Sequence, residues 1–546
     1  MSEMSHLPFR ISGTRYPSRR SPVACRRGMV ATSQPLAAMA GVRVLLGGGN
    51  AVDAAIATAA ALNVVEPMST GIGGDAFALI YMADSGEVRA LNGSGRAPLA
   101  ATPELYRRRG HTEVPLYDIL AVTVPGAVDA WTTALDAYGT RSLAEVLAPA
   151  IEYAEDGFPV SEVVAAAWHT IAPRLRDDPA AARTYLVDGL YAPLPGEVFR
   201  QPNLARTLRQ IADGGRDAFY RGPIAEAIVA TSDALGGLLT LEDFARHQST
   251  WEEPISANYR GYTVFECPPN GQGLAALLAL NILADDDLAA LGPDSPDALH
   301  LQIEAMRLAF ADAFTYIGDP HHVEVPVEAL LSSRYAEARR MLIDPRYAAR
   351  SVRAGVPPVG EDTVYLTVVD EDGNAVSFIN SLYHGFGAGI VAGETGIALQ
   401  NRGACFVLDE GHANCLAPGK RPYHTIIPCM VLQDRWLWAS FGVMGGFMQP
   451  QGHLQVLVNM IDFGMTPQEA LDAPRFEVLT DLERVALERT FDPALRAELI
   501  ARGHRVVDSE ASLFGFGGGQ IIQIDQNSGA RIGGSDPRKD GCAIGY

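Results

Sequence analysis

The chain has 546 residues, 48% of them hydrophobic and 20% charged, enough apolar material for one very large core or several ordinary ones. Its formal net charge of -21 argues against a general nucleic-acid or anionic-membrane partner, since both rely on Lys and Arg to neutralise phosphates. No apolar run reaches a membrane span, no apolar leader core follows Arg19-Arg20, and the six cysteines form no CxxC pair, so reduced thiols and a cytoplasmic location are expected.

Gly47-Gly48-Gly49-Asn50 announces the first long element. Asn50 is an N-cap and Asp53, three residues on, a partial capping box, ahead of an alanine-rich helix to about Val64. No Lys-Ser or Lys-Thr follows the glycines and no GxGxxG is present, so they read as close-packing residues, not as a phosphate loop. After Gly71-Ile72-Gly73-Gly74-Asp75, Ala76 to Met82 reads as a buried strand with Glu87 to Asn92 as its hairpin partner. From about residue 100 to 345 the patterning is mainly helical; Leu299, Ile303, Met306, Phe310 and Phe314 recur at spacings of three and four.

A proline- and glycine-rich run, Ala354 to Asp362, then turns abruptly into a strand from Thr363 to Asp370. Asp372-Gly373 signals a hairpin to a strand from Ala375 to Tyr383. Pairing 370 with 375 sets Thr363 opposite Leu382, beside Ser381 and Tyr383, with a bulge deciding which of them points at it. Strands are also expected at Ile426 to Leu432, Trp436 to Phe441 and Gly518 to Asp525, and a helix from about Pro450 to Ile461. Helices beyond sheets on both sides of residue 363 make an α+β fold, most economically a four-layer αββα sandwich.

A break before Thr363 would create an N-terminal residue carrying both an attacking hydroxyl and its own base. The freed α-amine has a reference pKa of about 7.7 to 8.0, so a modest downward shift on burial lets it accept a proton near pH 7. Cys405, His412 and Cys415 can be drawn as zinc ligands, but one histidine and wide spacing disfavour a metal.

Six ordered blocks carry a family resemblance: Gly49 to Ala55, the strand opening at Thr363, Gly389 to Gly396, Lys420-Arg421-Pro422, Gly445-Gly446 and Ser535-Asp536-Pro537-Arg538. Together they resemble the gamma-glutamyltransferase (glutathione hydrolase) family of N-terminal-nucleophile hydrolases. The resemblance implies a proenzyme that cuts itself between Asp362 and Thr363. An N-terminal extension (1–27) would precede a large subunit (28–362) and a small subunit (363–546), the two jointly forming the sandwich. It implies no metal or organic cofactor, and leaves further pairing of that unit open. Gly445 and Gly446 match the family's oxyanion-hole pair, and Ser381 the hydroxyl that orients the nucleophile.

The recognition residues depart from the family pattern. Where the family holds an α-ammonium with acidic and amide groups, this chain has Tyr383, Arg402 and Cys405, and arginine repels a cation. Where it holds an α-carboxylate, this chain has His424, Thr425 and Ser94, with Arg96 two places along. Arg402, His424 and Arg96 can still grip a carboxylate. Tyr383 to Gly387, Gln400 to Gly403 and Pro422 to Thr425 are similar to the glutathione hydrolase-like and oxamate amidohydrolase branch. A self-processing enzyme acting on γ-glutamyl amides such as glutathione is the leading reading. Its alternatives are hydrolysis of small acid-amides such as oxamate, a cephalosporin acylase-like activity, and an unprocessed binding protein.

Overall fold

The computed structural model describes residues 20–352, 363–508 and 515–546. Asp362, the expected scissile residue, the proline- and glycine-rich run before it, and residues 1–19 of the expected N-terminal extension lie outside the described residues.

Two seven-stranded, wholly antiparallel sheets organise the chain. The first runs Val23–Cys25, Arg531–Ser535, Gly518–Ile524, Trp436–Met444, Cys429–Gln433, Tyr262–Glu266, Ile255–Tyr259. The second runs Cys542–Gly545, Met29–Thr32, Val364–Val369, Ala375–Ser381, Asp75–Met82, Glu87–Gly93, Thr250–Glu252. Each sheet takes strands from both sides of residue 363. The expected N-terminal extension thus supplies an edge strand, and the segment read as mainly helical supplies three strands of its own.

Met29, Phe77, Tyr365, Ile379, Met430 and Ile522 form an apolar layer shared by the two sheets. Thr367 Oγ1 donates across it to Ser440 Oγ at 2.6 Å, and Ser377 Oγ to the Phe441 carbonyl at 3.3 Å. Helices Pro35–Leu46 and Ala51–Val65 pack on the second sheet, Gly273–Ile282 and Met448–Ile461 on the first. The Ala51–Val65 helix is buried on every face, which its alanines permit, and the Asn50–Asp53 capping box is fully formed.

One expectation needs correcting at the central hairpin. Val364 pairs with Asn380 and Val369 with Ala375, one residue tighter than the sequence reading. Asp370 N–H donates to the Asn374 carbonyl at 3.1 Å, so the hairpin turns on three residues, 371–373, with Gly373 at φ +87°, and the Asp370 carboxylate accepts the Asn374 backbone N–H and side-chain amide, both at 2.9 Å. Continuing this register sets Thr363 opposite Ser381, with no bulge needed. The strand expected from Ile426 begins only at Cys429. Side chains take the earlier N–H groups, Ile426 donating to His424 Nδ1 and Ile427 to Gln449 Oε1, and Pro428 has none to offer. All six cysteines are free, and among the described residues no helix is long and apolar enough to cross a membrane.

Candidate active site

Thr363 opens the strand Val364–Val369 and is buried, its Oγ1 3.2 Å from Ser381 Oγ. Strand alternation gives Thr363, Tyr365 and Thr367 one face, the face toward the first sheet. Along it Thr367 meets Ser440, and Tyr365 lies against Gly442, where a Cβ would come within 2.5 Å of the ring. By the same steps of two, position 363 falls level with Met444, the residue before Gly445. There the strand Trp436–Met444 gives way to the helix Met448–Ile461 through two glycines in left-handed conformations, φ +119° and +54°. A Cβ on Gly445 would sit 2.9 Å from Gly517 Cα, so only bare backbone fits.

Ser381 is a hub. Its Oγ also accepts the Tyr383 N–H at 2.9 Å and Arg402 Nη2 at 3.2 Å. Tyr383 has φ +81°, rare for a bulky residue, and its ring covers the Arg402 guanidinium at 4.3 Å. Arg402 Nη1 donates to Thr425 Oγ1 at 2.7 Å and approaches Cys405 Sγ at 4.0 Å. Arg402 is fully buried, its Nε has no partner, and the partners of its fork are two hydroxyls and a thiol. Asp409, seven residues further along, accepts the Gly411 N–H.

Behind this cluster lies Asp75, which the sequence reading did not single out. Its Oδ1 accepts the N–H groups of Gly95 (2.9 Å) and Gly126 (3.1 Å) and the side chain of Gln400 (2.9 Å). His424 Nε2 donates to Oδ2 at 3.1 Å. Burial pushes the Asp75 carboxyl up to about 6, against the opposing charge of Arg402 and these hydrogen bonds. Burial, then the charges of Arg402 and Arg421, hold His424 well below its usual range, so it is neutral. With Nδ1 accepting Ile426 N–H and Nε2 serving Asp75, both ring nitrogens are committed. His424, expected to grip a ligand, thus spends both ring nitrogens on the protein, one of them on Asp75.

Gln272 ties Thr425 to the glycine pair, its Nε2 donating to the carbonyls of Thr425 (2.7 Å) and Gly446 (2.9 Å). Thr363, Ser381, Tyr383, Arg402, Thr425 and Gly446 are thus joined by one continuous set of bonds. Arg96 lies apart from that set: it reaches the Gln248 carbonyl at 3.2 Å and shares its surroundings with Arg421, Glu252 and Asp319. Arg421 is structural, its guanidinium tied to Ser94, Asn92, Thr250 and Glu252. Gln400 stands in the branch-like block Gln400 to Gly403, whereas nothing in the sequence pointed to Asp75 or Gln272.

The thiols and imidazole drawn as zinc ligands turn to other partners: Cys415 Sγ to the Leu416 carbonyl, His412 Nδ1 to the Asn414 N–H. Glu266, Cys429 and His453 come closer together and are buried. Yet His453 Nδ1 bonds Glu266 at 2.7 Å while Nε2 accepts the Val443 N–H. A metal-bound histidine uses its second nitrogen as a donor, so this set reads as a structural hydrogen-bond cluster.

The Gamma-glutamyltranspeptidase family model matches residues 37–546. The chain is 41% identical to the glutathione hydrolase-like YwrD proenzyme of Bacillus subtilis, over 95% of this chain and 98% of that one. It is 38% identical to the oxamate amidohydrolase proenzyme of Klebsiella pneumoniae, with the same coverage of 95% and 98%. Its fold is similar to the crystal structure of cephalosporin acylase from Bacillus halodurans, with a TM-score of 0.91 and 48% identity over 98% of this chain and 99% of that one.

Proposed function

Because the chain belongs to the gamma-glutamyltranspeptidase family, whose relatives are hydrolases and acylases, we propose that it is a self-processing amide hydrolase and acyltransferase with Thr363 as nucleophile. In the precursor, Thr363 Oγ1 attacks the Asp362 carbonyl carbon, the peptide shifts to an ester, and water cleaves the ester. This releases the Asp362 carboxylate and the Thr363 α-amine. The two chains stay interleaved, a reading supported by sheets that each draw strands from both sides of the junction, and the helix–sheet–sheet–helix contacts fit a four-layer αββα sandwich.

In turnover, the α-amine takes the Oγ1 proton as Oγ1 attacks the substrate amide. The C–N bond breaks, the leaving amine receives that proton, and the acyl ester passes to water or to an acceptor amine. The N–H groups of Gly445 and Gly446 serve the developing oxyanion, and Ser381 orients Oγ1. The observation that carries this reading is the Thr363–Ser381 contact at the strand start.

For the substrate, the Arg402 fork favours a carboxylate and disfavours the ammonium of a γ-glutamyl group. Arg402 stands one hydroxyl from the nucleophile, so only a few bonds separate the bound carboxylate from the acyl carbon. A short acid-amide without an α-amine, of the oxamate kind, is therefore our substrate class, with Tyr383 and Thr425 fixing the guanidinium. The relatives named glutathione hydrolase support γ-glutamyl amides as the second reading. Turnover of oxamate, succinamate, glutathione and a glutaryl amide by wild type and Thr363→Ala tests both: the acid-amides should be turned over faster, and the variant should turn over none.

A further inference from the structure

Arg402 and Asp75 are both fully buried, yet the guanidinium bonds hydroxyls and a thiol while the carboxylate bonds amides and an imidazole. A buried guanidinium requires a counter-charge, and Asp75 supplies it from a distance, leaving the fork to a ligand. We propose that Asp75 is a specificity-determining positioning residue, a fixed counter-charge that balances Arg402 in the free enzyme and takes up a proton when a substrate carboxylate binds. This rests on the reading of Arg402 as the carboxylate anchor.

The placement of Asp75 is built into the fold. It pairs with Ser381 in the sheet, one strand from the hydroxyl that Thr363 uses. Two glycines let backbone N–H groups reach it: a Cβ on Gly95 or Gly126 would lie 3.1 or 3.2 Å from Oδ1 and would collide with the carbonyl of Val124 or Gly93. The ionisable groups around it are His424, Arg402, Arg421, Cys405 and Tyr220. Burial keeps His424, Cys405 and Tyr220 neutral, so Asp75 is the side chain of this set able to change state near neutrality, alongside the Thr363 α-amine that self-cleavage frees. A second anion on Arg402 raises its proton affinity further. Binding and protonation are reciprocal, so a carboxylate binds more tightly as pH falls toward about 6, where Asp75 is already half protonated in the free enzyme.

The test is competitive inhibition of the processed enzyme by oxalate, fully ionised from about pH 5.5 to 8.5. In wild type the inhibition constant should fall by up to about tenfold per pH unit on descending toward 6, then level off. In Asp75→Asn it should be flat and no weaker than the wild-type value at low pH. Calorimetry of oxalate binding at pH 7 in two buffers of different ionisation enthalpy should find net proton uptake in wild type and less in Asp75→Asn, the difference separating Asp75 from the Thr363 α-amine. A flat wild-type constant with no proton uptake, or an unchanged slope in Asp75→Asn, overturns the role of Asp75 alone. Failure of oxalate to bind at any pH, while glutathione is turned over, overturns the carboxylate reading and this inference with it.

Discussion

Arg402 donates to Ser381 Oγ at 3.2 Å from beneath the Tyr383 ring, so the cation of the pocket and the partner of the nucleophile are one hydrogen bond apart. In the proposed mechanism, substrate anchoring and nucleophile orientation therefore share one atom, Ser381 Oγ. A change at either residue is felt in both KM and kcat, in different proportion.

Arg402→Lys keeps the charge but loses the fork that serves Ser381 and Thr425 together. KM for an acid-amide should rise by about 10- to 100-fold, as expected for losing a charge-assisted bond of about 1.5–3 kcal/mol, with a smaller fall in kcat. Steady-state kinetics on oxamate and succinamate measure the split.

Ser381→Ala removes the hydroxyl that meets Thr363 Oγ1, Arg402 and the Tyr383 N–H. The expected result is a fall in kcat of about 10- to 100-fold, again for about 1.5–3 kcal/mol, with Ser381→Thr recovering most of it. Single-turnover acylation isolates the step.

Gly445→Ala forces a side chain onto φ +119° with its Cβ 2.9 Å from Gly517 Cα, so the backbone that would meet the oxyanion must move. Loss of one such donor costs about 10²- to 10³-fold in kcat. Both self-cleavage and substrate hydrolysis should slow, which a denaturing gel over time and initial rates would record.

These expectations draw on features the sequence carries unequally. Local chemistry is legible: Asn50 and Asp53 cap their helix as read, and the blocks around Thr363, Gly445 and Asp536 all lie at structured turns or strand starts. The hairpin register escaped by one residue because the chain turns on three residues, with Gly373 at φ +87° and Asp370 bonded to Asn374, a turn length that strand pattern does not reveal. Asp75 was silent because its donors come from residues 95, 126, 400 and 424, which only the folded chain brings together. His424 and Arg96 were read as ligand contacts from the family pattern, and their bonds to Asp75 and to the Gln248 carbonyl join residues far apart in sequence.

Asp536 bonds Arg475 at 2.6 Å and Arg538 at 3.1 Å in the loop that joins the two sheets. Burial raises its carboxyl pKa, but the charges of Arg475 and then Arg538 outweigh it and hold it below the usual range. The stability from this ionised group is fully present above about pH 4, the unfolded value, and is lost as pH falls through the lower folded value. Asp536→Asn should cost about 3–5 kcal/mol at pH 7, because buried Arg475 loses its carboxylate partner while Arg538 keeps Glu488, and thermal unfolding should show a weaker acid limb than wild type.

The most direct test of the account is terminal sequencing with intact-mass analysis of the active enzyme. The expected result is two chains, the smaller beginning Thr363-Val364-Tyr365-Leu366, with masses that sum to the precursor plus one water, and hydrolysis that appears in step with the cleavage. Hydrolysis by an unbroken chain, or a small chain that begins at any other residue, would contradict it.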